Sequence, residues 1–322
     1  MTSRRHIFNS VQHGRTLPRI GARASVLLLC LGALLLTTTV GCGSKAESTG
    51  GAGFSPAAEV LEAHFHPEGA VSAEGGSIDV SCVSQGYVAA SATSAARLKF
   101  QVSCGEQSYN YDLPSDGTPI VCPLNMGNGS YAFRIMRNTS GTNYVETTAA
   151  EAQVSLESDI APYLRPNVFC NYTKESACVA KARELVSGAS NQGEAVKAIC
   201  AYVVENVSYD TEKAESLSGK SGYIPNPDET LSSRKGICFD YASLGCAMLR
   251  SVGIPTQIVT GYVSPGDIYH AWVMVYIDGS WQSAQFSVDP NTWSRVDLTF
   301  AAASDAANFV GDGKTYTNRY LY

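Results

Sequence analysis

Histidine is scarce in this chain of 322 residues, which contains five of them. His6 and His13 lie near the start of the chain, and His64 and His66 stand close together. His270 is the one histidine beyond residue 157. Any chemistry in the second half of the chain that requires an imidazole therefore depends on His270.

Positive charge is also in short supply, with 23 Lys and Arg residues against 29 Asp and Glu residues and a net charge of −6. Five of the arginines and no acidic residue lie within the first 41 residues. The remainder therefore has 18 basic and 29 acidic residues, a net charge of −11. An acidic body lacks the positive surface that neutralises phosphates, so we predict no nucleic-acid partner.

The apolar run at 24–36 is too short to span a bilayer comfortably. A basic stretch precedes it and small residues follow, which is typical of a signal peptide over 1–41. The double arginine near the start leaves the general and twin-arginine export routes both open. Residues 39–42, Thr-Val-Gly-Cys, resemble a bacterial lipobox, which implies lipid attachment at Cys42; a plain cleavage site is the alternative. We expect a lipid anchor to hold the protein on the extracytoplasmic face of the cell membrane.

Residues 42–56 are rich in Gly, Ser and Ala, which is typical of a flexible tether after the lipidated Cys42. Over 57–157, short alternating runs such as 97–102, 108–113, 130–136 and 144–148 recur between turn signals at 116–117 and 128–129. This spacing, without helical periodicity, favours an antiparallel β-sandwich of immunoglobulin-like size.

The pattern changes in the last predicted domain, 158–322. Apolar residues at 196, 199, 200, 203 and 207 predict an amphipathic helix, and a second helix is predicted over Cys238–Ser251, ending at Gly253 before Pro255. Strands are predicted over 257–263, 269–277, 281–288 and 293–300. Helices followed by strands indicate an α+β domain.

The segment 235–242, Lys-Gly-Ile-Cys-Phe-Asp-Tyr-Ala, places Cys238 in the first turn of a predicted helix. Unpaired N–H groups and the helix dipole favour negative charge at that position, so a thiol there ionises more readily. A thiolate nucleophile needs an imidazole partner, and His270 opens a predicted strand that can hold its ring rigidly.

A third group should be a carboxylate that orients the imidazole. Asp289 and Asp297 are the two candidates. Asp289 precedes Pro290 and Asn291, a sequence that a tight turn explains sufficiently. Asp297 lies inside the predicted strand 293–300, among residues expected to be buried, where a carboxylate usually has a partner. We therefore prefer Asp297.

The segments 225–242, 269–273 and 293–300 together resemble the three motifs of the transglutaminase-like superfamily, which includes transglutaminases, papain-like thiol peptidases and deglycosylating amidases. The resemblance is closest to bacterial lipoproteins with a transglutaminase-like domain, and it extends upstream through 85–88, 123–131 and 206–210. It implies that Cys238 is the nucleophile, His270 the base and Asp297 the orienting carboxylate. The family motif usually reads Asp-Pro-Thr after a tryptophan, where this chain has Asp-Leu-Thr at 297–299; the spacing from Trp293 favours Asp297.

The resemblance implies a cell-surface thiol enzyme that acts on amide bonds of a peptide or protein substrate through a cysteine thioester. Hydrolysis is slightly favoured over crosslinking, because water is the abundant acceptor. The competing hypothesis is a non-enzymatic surface-binding lipoprotein with a vestigial triad.

The other cysteines and histidines favour simpler roles. Cys104 with Cys122, and Cys170 with Cys178, are candidate disulfides, whereas Cys200 and Cys246 favour core packing, with a mutual disulfide as the lesser option. His64 and His66 lack an obvious third ligand, so we predict no metal and no cofactor.

Overall fold

The computed structural model describes residues 54–263, 268–277, 280–282, 297–299 and 316–322. The predicted signal peptide, Cys42, most of the predicted tether and Asp289 lie outside these residues. Within the described ranges, no helix combines the length and the apolar character needed to cross a membrane.

Eight strands between residues 71 and 154 form two four-stranded antiparallel sheets, with the orders β1-β2-β3-β6 and β5-β4-β7-β8. The strands are β1 (Val71–Ala73), β2 (Gly76–Asp79), β3 (Tyr87–Ala92), β4 (Leu98–Cys104), β5 (Gln107–Leu113), β6 (Ile120–Pro123), β7 (Gly129–Ser140) and β8 (Asn143–Val154).

Alternating burial explains why these residues form strands. In β4, Leu98, Phe100 and Val102 are buried and the residues between them are partly exposed. Phe100 stacks on Phe133 of β7, with 6.4 Å between ring centroids. Side chains from both sheets, including Val88 of β3, belong to the same buried cluster. Full burial of each such side chain stabilises the fold by about 1.5–3 kcal/mol.

The strands predicted over 97–102, 108–113, 130–136 and 144–148 are confirmed as parts of β4, β5, β7 and β8. Both β7 and β8 are longer than predicted, at 12 residues each. The sequence pattern did not indicate β3 or β6. Nearly all of their residues are buried, so the alternation between buried and exposed positions is missing.

The second half contains five described helices and a second group of strands. The helices are α1 (Ala177–Leu185), α2 (Gln192–Asn206), α3 (Thr211–Leu217), α4 (Pro227–Ser233) and α5 (Cys238–Ser251). The strands are β9 (Ser208–Tyr209), β10 (Lys235–Gly236), β11 (Thr256–Val263), β12 (Ile268–Ile277), β13 (Ser280–Gln282) and β14 (Tyr316–Leu321). Strands β9 and β10 pair in parallel, and the larger sheet has the order β13-β12-β11-β14.

Helix α5 occupies the centre of this half. Every residue from Asp240 to Ser251 is buried, and α5 contacts α1, α2, α4, β11 and β12. The helix begins after the extended residue Ile237 and has the predicted bounds. Gly253, at φ +90°, follows its end in the left-handed conformation that glycine favours. The prediction for this helix is confirmed.

The strand predicted over 293–300 is wrong at its described residues, because Leu298 and Thr299 are helical. The Asp297 carboxylate accepts a hydrogen bond from the backbone N–H of Thr299 at 3.2 Å. Such a side-chain contact starts a helix, and here it overrides the alternating pattern of the sequence.

Aromatic side chains join the first half of the chain to the second. Tyr111 of β5 lies 5.9 Å from Phe169, and Phe169 lies 4.6 Å from Tyr322, measured between ring centroids. Tyr109 of β5 contacts Tyr320 of β14 at 5.5 Å. The N-terminal sheets and the helical half therefore share an apolar boundary.

All eight cysteines in the described residues are free thiols. The candidate disulfides Cys104–Cys122 and Cys170–Cys178 are not formed in the structure. The neighbour of Cys170 is instead Cys246 of α5, with 3.6 Å between the sulfur atoms. Cys200 and Cys246 are buried in the core of the second half, so the prediction of core packing for both is confirmed.

Arg250, near the end of α5, is 2% exposed. Its guanidinium donates hydrogen bonds to the carbonyl oxygens of Arg165 at 2.7 Å, Thr256 at 2.8 Å and Tyr322 at 2.9 Å. Its Nη1 also lies 3.1 Å from the sulfur of Cys170. Burial raises the pKa of Cys170, but the hydrogen bond from Cys246 and the charge of Arg250 outweigh burial and lower it. Arg250 thus connects α5 to three separate segments.

We expect Arg250→Met to lower the free energy of unfolding by about 3 kcal/mol or more, because it leaves buried carbonyl oxygens without donors. Urea titration followed by circular dichroism measures the change. Arg137→Met, at an exposed position of β7, is the matched control and should change stability by less than about 0.5 kcal/mol. Equal effects of the two substitutions would contradict the structural role of Arg250.

Candidate active site

Cys238 is the first residue of α5, and it is partly exposed. The N–H groups of the first helical turn have no partner within the helix and carry a partial positive charge. The extended backbone of Ile237 delivers the cysteine to this position. The sequence prediction for the location of Cys238 is confirmed.

His270 lies on β12, opposite Gly261 of β11, and is 5% exposed. Its Nε2 atom is hydrogen-bonded to Oδ2 of Asp297, and the side chain of Cys238 lies close enough to the ring to raise its pKa. Strand β12 packs directly on α5, which brings the imidazole to the thiol. The two contacts hold the ring between a sulfur and a carboxylate.

The charge state of His270 follows from these partners. Burial disfavours the imidazolium, but the hydrogen bonds and negative charges of Asp297 and Cys238 outweigh burial and raise the pKa of His270 to about 10. At neutral pH the ring is therefore positively charged.

Asp297 is 7% exposed and has three hydrogen-bond partners among the described residues. It accepts from the ring of His270, from the backbone N–H of Thr299 and from the hydroxyl of Tyr316 at 3.1 Å. A Cβ atom on Gly245 of α5 would lie 2.7 Å from Leu298 Cδ1, so the glycine permits close packing next to Asp297. The structure thus brings Cys238, His270 and Asp297 together.

A cavity of about 770 Å³ opens onto Cys238 and His270. One side is formed by Lys99, Asn110 and Asp112 of β4 and β5. Another is formed by residues 217–224, the last residue of α3 and the loop that follows it. Aromatic side chains contribute much of the remaining lining: Phe169, Tyr209, Tyr223, Phe239, Tyr269 and Tyr322. The N-terminal sheet therefore forms part of the cleft, although the sequence indicated no site there.

Three groups near the site were not indicated by the sequence: Lys213, Tyr223 and Tyr316. Tyr316 contacts Asp297 from β14, and Lys213 and Tyr223 both contact the carboxylate of Asp240. Tyr223 lies two residues before the motif segment 225–242 and Lys213 lies three residues after the segment 206–210, but no local pattern marks any of the three residues. Asp240 itself is 0% exposed, and its carboxylate is held by local contacts.

The histidines of the first half lie in a different environment. His66 Nδ1 contacts Asp79 Oδ2 at 3.0 Å, and Cys82 and Ser81 are nearby. Among the residues that the structure describes, no group of three His, Cys, Asp or Glu side chains is arranged to hold a metal ion. The absence of a metal stays a prediction.

Residues 179–297 match the family model described as the transglutaminase-like superfamily. This segment is a transglutaminase-like domain. It includes Cys238 and His270, and its last matched residue is Asp297. The resemblance expected from the three motif segments is confirmed at the level of the domain.

Curated relatives match this chain over limited lengths. An uncharacterized protein from Mycobacterium leprae is 29% identical over 126 residues, which cover 36% of this chain and 41% of that protein. Kyphoscoliosis peptidase from Mus musculus is 30% identical over 108 residues, which cover 30% of this chain and 16% of the peptidase. The chain therefore spans less than half the length of these curated relatives.

Two solved structures are also similar. A Cytophaga hutchinsonii protein, described as a candidate cysteine protease, aligns with a TM-score of 0.33 and 18% identity, covering 61% of this chain and 77% of that chain. Red sea bream transglutaminase aligns with a TM-score of 0.27 and 13% identity, covering 67% of this chain and 50% of that chain.

The pKa of His270 gives a testable consequence. Because its folded pKa is above the ordinary value of 6.5, the contacts that favour the imidazolium stabilise the fold fully below pH 6.5 and are lost as the pH rises through about 10. We expect Asp297→Asn to lower the pKa of His270 to about 8 or below, because the facing negative charge is removed. Titration of the ring by NMR measures this.

The matched control for that titration is His66→Asn, which removes an imidazole far from the cleft and should leave the pKa of His270 unchanged. An unchanged His270 titration in the Asp297→Asn protein would contradict the ion pair.

Proposed function

We propose that this protein is a cysteine acyl-transfer enzyme that acts on amide bonds of peptides or proteins, with Cys238 as nucleophile, His270 as acid and base, and Asp297 as the orienting carboxylate. The observation that carries the proposal is the position of His270, which is hydrogen-bonded to Asp297 and lines one cavity with Cys238 at the start of a buried helix. Each of the three roles requires the position that its side chain occupies.

In the first half-reaction, the Cys238 thiolate attacks the carbonyl carbon of the amide. The backbone N–H of Cys238, in the first turn of α5, is positioned to stabilise the negative oxygen that forms. The His270 imidazolium then donates its proton to the leaving amine as the C–N bond breaks, which leaves a thioester on Cys238 and a neutral imidazole.

In the second half-reaction, neutral His270 accepts a proton from water as the water oxygen attacks the thioester, and the thiolate is released. A lysine amine in place of water would crosslink two chains instead. We favour hydrolysis, since water is the more abundant acceptor. Asp297 stabilises the imidazolium in both halves of the cycle through its hydrogen bond to Nε2.

We also propose the cellular setting that the first 56 residues indicate. The signal peptide at 1–41 exports the chain, and a lipid on Cys42 anchors it to the extracytoplasmic face of the membrane. The domain at 57–157 is an immunoglobulin-like sandwich, which is supported by two four-stranded sheets with a common core. The domain at 158–322 carries the catalytic residues, and the partner is a peptide or protein substrate.

The test is the reaction of the folded protein with iodoacetamide at neutral pH, followed site by site with mass spectrometry. We expect Cys238 to be alkylated at least about ten times faster than an ordinary thiol, because the proposed mechanism requires a thiolate at this position. His270→Ala should remove this advantage. Cys104→Ala is the matched control, since Cys104 is also a partly exposed free thiol but has no role in the proposed site.

Turnover is measured in parallel with a panel of peptide amides, with and without an added amine acceptor. Cys238→Ala should abolish product formation and Cys104→Ala should not. Slow alkylation of Cys238 that is insensitive to His270→Ala would reject the catalytic assignment, and would favour a surface protein that binds a partner without chemistry.

A further inference from the structure

The carboxylate of Asp240 lies two residues after Cys238 and is completely buried. Its Oδ2 atom accepts the backbone N–H of Ile237 at 2.8 Å and contacts Lys213 Nζ at 2.9 Å. Its Oδ1 atom accepts the hydroxyl of Tyr223. One carboxylate therefore connects three segments: the start of α5, helix α3 and the loop 217–224.

The position of this carboxylate is fixed from the other side by the backbone. A Cβ atom on Gly236 would lie 2.5 Å from Cβ of Asp240 and 3.1 Å from its Oδ2. The glycine lets β10 approach this closely, so little space is left for the carboxylate to move. Its three donors therefore meet at one fixed carboxylate, which lies two residues after Cys238 in the chain.

Lys213 and Tyr223 also contact each other. The ammonium group of Lys213 lies 4.7 Å from the centroid of the Tyr223 ring, within the range of a cation–π interaction. The charge of Lys213 compensates that of Asp240, so the carboxylate does not add an unbalanced negative charge beside Cys238. The three side chains form a neutral, hydrogen-bonded unit, which we name the Asp240 cluster.

The loop 217–224 lies between the Asp240 cluster and β5 across the cleft. After Leu217, the last residue of α3, it contains no helix or strand, and Gly219 and Gly222 have positive φ angles of +70° and +88°. Across the cleft, Gly222 approaches Asp112 of β5, and Ser221 accepts a hydrogen bond of 3.4 Å from Arg97. Tyr223 attaches the loop to α5 through its hydrogen bond to Asp240, and it lines the same cavity as Cys238.

We propose that Asp240 is a positioning residue. It holds the loop 217–224, which forms one wall of the substrate cleft, in a fixed position relative to Cys238 at the start of α5. The proposal rests on the proposed function for its meaning in catalysis, but the attachment of the loop can be measured without turnover. We therefore expect that loss of the Tyr223 hydroxyl loosens the attachment of the loop 217–224 and leaves the reactivity of the Cys238 thiol unchanged.

The first measurement is limited digestion of the full chain with trypsin, which can cut after the exposed Lys220 within the loop. In Tyr223→Phe we expect cleavage after Lys220 to be about ten times faster than in the wild type, because the loop opens more often. Tyr202→Phe is the matched control: Tyr202 also faces a lysine, Lys181, at 5.6 Å, but lies on α2 away from the cleft.

The second measurement separates the wall from the nucleophile. Tyr223→Phe should raise KM for a peptide amide about ten-fold while kcat and the alkylation rate of Cys238 stay within about two-fold. Lys213→Met should also raise KM, and the double variant should show less than the sum of the two effects on KM, because both residues act on one carboxylate. Asp240→Asn provides a third variant, and Tyr223→Phe keeps the test valid where Asp240→Asn does not fold.

Unchanged trypsin cleavage after Lys220 in Tyr223→Phe and Lys213→Met would overturn the proposal, whatever the catalytic assays show. A fall in the thermal stability of Tyr223→Phe together with slower alkylation of its Cys238 would also overturn the proposal, because it would indicate a general structural role. Slow alkylation of Cys238 already in the wild type would instead refute the proposed function, and trypsin cleavage would still decide the attachment of the loop.

Discussion

The packing of β12 on α5 is the constraint on which the candidate site depends. His270 can contact Cys238 and Asp297 at the same time only because the strand fixes the imidazole at the start of the helix. The helix in turn is fixed by its complete burial and by the contacts of Arg250 with three backbone carbonyls. A rigid scaffold of this kind lets a reactive geometry exist before a substrate binds, which lowers the cost of ordering during the reaction.

The site also shows how charges are balanced in a largely buried environment. The imidazolium of His270 faces a carboxylate and a thiol, and the carboxylate of Asp240 faces an ammonium group. A buried charge without such a partner would cost several kcal/mol. Each of these buried charges is balanced by a partner of opposite charge. The thiol of Cys238 therefore lies within the group formed with His270 and Asp297 and beside the Asp240 cluster.

The sequence predicted the location of the site better than its walls. Helix α5, its start at Cys238 and its stop at Gly253 follow from local rules of helix initiation and termination, and the scarcity of histidine made His270 the sole candidate partner. The conformation at Asp297 was predicted wrongly, since a side-chain contact with Thr299 replaced the expected strand. Lys213, Tyr223 and the β5 side of the cleft could not be predicted, because long-range packing brings them together and no local spacing encodes it.

An aromatic boundary joins the two halves of the chain, with Tyr109 and Tyr111 on one side and Phe169, Tyr320 and Tyr322 on the other. The region matched by the family model, 179–297, contains none of these five residues. Recombination that transferred this region alone would leave all five rings behind and remove a flank of the cleft. An intact cleft therefore requires both halves of the chain.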